Sequence, residues 1–78
     1  RLMSSYYGKY KIRVNTISPG GVFDNQNQGF VKKYNKLSPL SRMGLPNEIA
    51  SATLFLASNA SSFVTGENLM VDGGWTAI

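Results

Sequence analysis

The 78 residues contain no cysteine and no histidine. The first absence excludes a disulfide framework and a thiolate metal site; the second removes the commonest metal ligand and the commonest general base, so no metal is expected. No apolar run approaches the roughly 20 residues of a membrane-spanning helix, and no stretch has the form of a signal peptide, which leads to the expectation of a cytoplasmic protein with no membrane partner. Acidic residues are also scarce, four against eight basic ones, for a formal charge of +4. The basic residues fall in two groups, Lys9, Lys11 and Arg13, then Lys32, Lys33 and Lys36. The second group alternates with apolar positions as a solvated helix face does, and no recognised nucleic-acid module accompanies either. Ordinary surface charge is expected, not a nucleic-acid site.

A chain this short forms at most one small domain with a marginal core. It opens on Arg1, and "RLMSSYY" reads as a helix already in progress with no Ser, Thr, Asp or Asn ahead of it, so a fragment is expected. Gly8 is the expected stop, since glycine tolerates the left-handed conformation. "KIRVNTIS" supplies Ile12, Val14, Thr16 and Ile17, a β-branched run apolar on both faces, as in an interior parallel strand, and Pro19 ends it.

Residues 24–28, "DNQNQ", read as loop. After Gly29, the spacing of Phe30, Val31, Tyr34 and Leu37 predicts one face of a short helix, interrupted at Ser38 and Pro39. "LPNEIASATLFLAS" is the clearest helix: Pro46 suits its first position, Glu48 its positive end, and Ile49, Ala52, Thr53 and Leu56 share a face. "NASS", residues 59–62, is a stop, and "NLMVD" a short strand before Gly73 and Gly74. Two strands joined through helices predict an α/β fold built on a right-handed parallel crossover.

The stretch "SPGGV" carries the chemistry. Open α/β sheets bind ligands at the carboxyl ends of their strands, and Pro19 followed by Gly20 and Gly21 fixes the backbone while removing β-carbons. Taken alone it reads first as a structural turn and only second as the floor of a pocket for a flat ring.

Three separated segments, "IRVNTISPG" at 12–20, "RMGLPNEIASATLFLAS" at 42–58 and "FVTGENLMVDGGW" at 63–75, together resemble the carboxyl-terminal third of the short-chain dehydrogenase/reductase family. The resemblance implies a doubly wound, Rossmann-like parallel sheet that binds NAD or NADP. Residues 1–78 would then be a single partial domain supplying the last two strands with the intervening helices, its amino-terminal part missing. It places Pro19 and Gly20 under the nicotinamide, with the main chain of Val22, beyond Gly21, holding the carboxamide; such a grip presents one ring face for hydride transfer.

The same resemblance implies an oxidoreductase that interconverts a hydroxyl and a carbonyl. The segment between Val22 and Arg42 falls in the family's variable substrate loop, and its wealth of Asn and Gln points to a small polar substrate such as a sugar derivative. No catalytic residue is assigned. Tyr7 and Lys11 match the family's Tyr-x-x-x-Lys spacing, but they abut the "IRVN" strand instead of preceding it by a helix, so the catalytic pair is expected upstream and the 78 residues alone are expected to be inactive.

Asp24 stands where many members carry threonine; it points to solvent, or the loop takes another path, or it meets a substrate hydroxyl. Arg42, Gly44 and Glu48 read as an arginine–carboxylate contact and helix start; Phe63, Gly66 and Asp72 read as scaffold, and Trp75 as packing. Residues 46–58 and 68–72 are the expected interface of a homodimer or homotetramer. The alternative is a non-catalytic remnant that acts only through subunit association.

Overall fold

Two short strands, β1 (Thr16–Pro19) and β2 (Asn68–Val71), lie side by side and parallel in the computed structural model, which describes residues 1–77. Thr16 pairs with Asn68 and Pro19 with Val71, so both strands finish at the same end. Helices α1 (Leu2–Gly8), α2 (Gln28–Leu37) and α3 (Pro46–Ala57) accompany them, with single 3₁₀ turns at Asn59–Ser61 and Trp75–Ala77. The order is that of an α/β crossover, and α3 packs on both strands.

Local chemistry accounts for the boundaries. Asn27 caps α2, its side-chain oxygen accepting from the N–H groups of Gly29 (2.8 Å) and Phe30 (3.4 Å), which starts the helix at Gln28, inside the stretch expected to be loop. Val31 and Tyr34 turn inward, whereas Phe30 and Leu37, expected on the same face, are exposed. At α3, Pro46 occupies the first turn, and Leu45 has no side-chain acceptor to offer as a cap. Glu48 does the work by accepting the Leu45 N–H at 2.8 Å.

Gly8 is not the left-handed stop. It closes α1 as a helical residue, and the reversal falls on Lys11, at φ 61°. Strand β1 is also shorter than the β-branched run. Residues 12–15 are held against 64–67 largely by side chains: the Val14 N–H donates to Thr65 Oγ1, Asn15 Nδ2 to the Val64 carbonyl, and the Glu67 N–H to Asn15 Oδ1.

Arg13 belongs to that clamp and not to a solvated surface. Its guanidinium donates to the carbonyls of Leu56 (2.9 Å), Ser58 (3.2 Å) and Val64 (3.0 Å) and to Ser61 Oγ (3.1 Å). Helix α3 has no basic residue in its last turn, so a cation from 43 residues away meets the Leu56 carbonyl, which no backbone N–H of the helix reaches. Buried Ser61 completes the cluster, within hydrogen-bond distance of the carbonyls of Phe55, Leu56 and Ser58.

Little apolar surface is enclosed. Among the described residues Met43 is the buried hydrophobic, while Leu54, Phe55 and Met70 are exposed and Phe63, expected as scaffold, is fully so. The radius of gyration is 15.3 Å, against about 11.5 Å for a compact domain of this length. None of the described helices is long and apolar enough to cross a membrane.

Candidate functional site

Where β1 and β2 finish together, Gly20 continues the ladder, its N–H donating to the Val71 carbonyl at 3.0 Å. A β-carbon on Gly20 would stand 2.7 Å from Asp72 Cβ and 2.8 Å from its Cα, and one on Gly21 would stand 2.6 Å from the Tyr34 ring. Gly20 is therefore required by its packing on Asp72, and a side chain at Gly21 would displace the Tyr34 ring. Only the backbone of the two strand ends can approach this closely.

Gly21 is saturated. Its N–H donates to Tyr34 Oη at 2.8 Å, and its carbonyl accepts the Gly44 N–H at 2.8 Å. The Phe23 N–H donates in turn to the Gly44 carbonyl, making a parallel bridge between Val22 and Gly44. Between these bonds the Val22 N–H meets no acceptor among the described residues. The Val22 carbonyl takes Gln26 Nε2 at 2.8 Å, and Gln26 Oε1 takes the Asp24 N–H at 2.7 Å.

A cleft of about 420 Å³ opens on this corner, floored by Pro19, Gly20 and Gly21 and walled by Tyr34, Asp72 and Trp75. That volume lies within the span of small-molecule sites, about 300–1,000 Å³. Tyr34 and Trp75 stack with centroids 4.7 Å apart and planes 15° from parallel. Asp72 shapes the opposite wall: its carboxylate accepts from the Gly74 N–H and from the N–H and hydroxyl of Thr76, across Gly73 (φ 63°) and Gly74 (φ 89°). Those bonds, the Thr76 hydroxyl foremost, hold the Asp72 carboxyl below its ordinary range.

The structure thus brings Pro19, Gly20, Gly21 and Val22 to one strand end, and it adds Tyr34, Trp75 and Gln26, which periodicity alone did not associate with them. Asp24 is exposed. Tyr7 and Lys11 do not form a helical pair, because α1 ends at Gly8 and Lys11 turns left-handed beyond it.

The expected Arg42–Glu48 contact is a two-pronged ion pair, Nη1–Oε1 and Nη2–Oε2 both at 2.8 Å. It and the Leu45 N–H hold the Glu48 carboxyl down to about 2. A neighbouring cleft of about 280 Å³ lies between this pair and Gly73; Gly21 lines both clefts, and Val22 with its uncommitted donor follows it in the chain.

Comparison with known proteins agrees with this geometry. Residues 1–76 match the family model described as enoyl-(acyl carrier protein) reductase. Sorbose reductase SOU1 of Candida albicans is 45% identical over 78 residues, covering 95% of this chain and 28% of that protein. The crystal structure of a short chain dehydrogenase from Leptospira borgpetersenii with bound NAD+ superposes with a TM-score of 0.89 at 47% identity, covering 96% of this chain and 30% of that one. For 4-hydroxyisoleucine dehydrogenase complexed with NADH the TM-score is 0.90 at 36% identity, over 99% of this chain and 34% of that one. The chain therefore spans roughly a third of the length of the relatives it matches, and it belongs to the short-chain dehydrogenase/reductase family.

Proposed function

We propose that the protein is an NAD(H)-dependent oxidoreductase interconverting a hydroxyl and a carbonyl on a small polar substrate, with Pro19, Gly20, Gly21 and Val22 forming its nicotinamide corner. The single observation that carries this reading is the uncommitted Val22 N–H just past the carboxyl end of a parallel strand, one residue beyond the floor of a cleft of ligand size. A second observation tests the fit. The Gln26 side chain, itself a primary carboxamide, already donates to the Val22 carbonyl. That carbonyl is therefore placed to accept from an amide, and it keeps a second lone pair for a bound carboxamide.

When bound, the nicotinamide supplies or accepts the hydride. The chain's own part is to hold one ring face in place: Val22 offers a donor and an acceptor, and the two glycines lock their angle. The choice of NAD over NADP rests on relatives solved with NAD+ and NADH. A polar substrate rests on Asn25, Gln26 and Asn27 in the loop that follows the corner and on Gln28 at the start of α2.

Residues 1–78 are proposed as one part of a single nucleotide-binding domain in a cytoplasmic enzyme. Exposed Leu54 and Phe55 on α3 and Met70 on β2 favour a homotetramer joined through residues 46–58 and 68–72.

Val22→Pro in the full-length protein removes the donor. Affinity for NADH is expected to fall about tenfold, the size of one lost hydrogen bond, while affinity for ADP-ribose, which lacks the nicotinamide, stays within about twofold. Unchanged NADH binding would sink the assignment.

A further inference from the structure

Gly20 and Gly21 are pinned from opposite sides by two residues that are themselves linked. Asp72 presses on Gly20 and Tyr34 on Gly21, and Trp75 joins them: its N–H donates to the Asp72 carbonyl at 3.2 Å and its indole stacks on the Tyr34 ring. The circuit Gly20–Asp72–Trp75–Tyr34–Gly21 closes on the corner it began from. Its one polar link into the corner is the Tyr34 hydroxyl, 13 residues along the chain and carried on α2.

We infer that Tyr34 is a positioning residue of the nicotinamide corner, through which the seating of α2 and of the Trp75 turn sets the angle of the Val22 peptide. The inference rests on the corner reading above and goes beyond it, since Tyr34 adjoins Gly21 and not Val22. A phenylalanine would fill the same space and keep the stack, but would leave the part-buried Gly21 N–H without its acceptor. The Gly44 N–H still holds the Gly21 carbonyl, and with it the peptide plane that carries the Val22 N–H, so loss of the Tyr34 contact acts as a tilt about that remaining bond. Because α2 follows directly on the substrate loop, one hydroxyl ties that loop to the hydride-transfer corner.

The test is equilibrium binding of NADH and of ADP-ribose to the full-length protein. Tyr34→Phe is expected to raise the NADH Kd about tenfold, one hydrogen bond's worth, with the ADP-ribose Kd within about twofold of wild type. Trp75→Leu, which removes the stack and leaves the hydroxyl, is expected to raise the NADH Kd about threefold with the same selectivity. An NADH Kd unchanged in Tyr34→Phe, or equal weakening of the two ligands in Trp75→Leu, overturns the inference. If Val22→Pro weakens NADH and Tyr34→Phe does not, the corner stands and the role of Tyr34 falls; if Val22→Pro leaves NADH binding intact, the corner itself is misassigned.

Discussion

The two ends of the parallel strand pair are held by different means. At the amino end, Arg13, Asn15 and Ser61 satisfy a cluster of carbonyls and N–H groups, and the guanidinium alone reaches four acceptors. At the carboxyl end Gly20, Gly21 and the Asp72 carboxylate are satisfied too, but close approach at the two glycines and an aromatic stack set the shape, and the Val22 N–H is left over. A saturated end can only hold the fold together. An end with a spare donor beside a cleft can hold something else as well, and ligand sites arise where rigid scaffolding leaves polar groups uncommitted.

That contrast can be broken most forcefully at the saturated end. Arg13→Ala removes one donor from each of the Leu56, Ser58 and Val64 carbonyls and from Ser61 Oγ, leaving their other partners in place, and should cost about 1–3 kcal/mol in urea unfolding of the full-length protein. Lysine should recover less than half, since one ammonium cannot span acceptors that a planar fork reaches. ADP-ribose affinity of the surviving folded fraction should not change.

At the other end, Gly20→Ala should cost about 1–3 kcal/mol by overpacking against Asp72, and unlike Arg13→Ala it should weaken NADH selectively. Equal loss of ADP-ribose would erase the distinction between the ends.

The smallest effect is expected between them, at the exposed Arg42–Glu48 pair. The Glu48 carboxyl is depressed from 4.5 to about 2 in the folded chain. Its contribution to stability is accordingly full above about pH 4.5 and fades as the pH falls through 2. Glu48→Gln should flatten that part of the acid-unfolding curve and merge with wild type below it. A slope unchanged by the substitution would remove the pair from the stability of the α3 start.

What could be read from the sequence, and what could not, divides along the same line. The order of elements and the start of α3 at Pro46 were legible from periodicity and local residues, the parallel pairing from strands joined through helices, and the Arg42–Glu48 contact from the segment shared with the family. The clamp at Arg13 was not, because its partners lie 43 to 51 residues away. A signal did exist: a helix without a basic residue in its last turn, followed by "NASS", needs a donor from elsewhere.

Pro19, Gly20, Gly21 and Val22 were picked out together, though for a reason the geometry revises. The bare backbone serves Asp72 and Tyr34 before it serves any ligand. Tyr34 was legible only as an apolar helix-face residue, since nothing in the spacing of α2 shows where a phenolic oxygen will find a partner.

The Arg13 cluster also bears on how this fold can vary. Its four acceptors are spaced along residues 56 to 64, and the guanidinium is planar and rigid. Inserting or deleting even one residue in that connection would rotate some carbonyls out of the fork's reach. Homologous chains should therefore keep this connector at constant length, while absorbing additions freely in the loop between Val22 and Asn27.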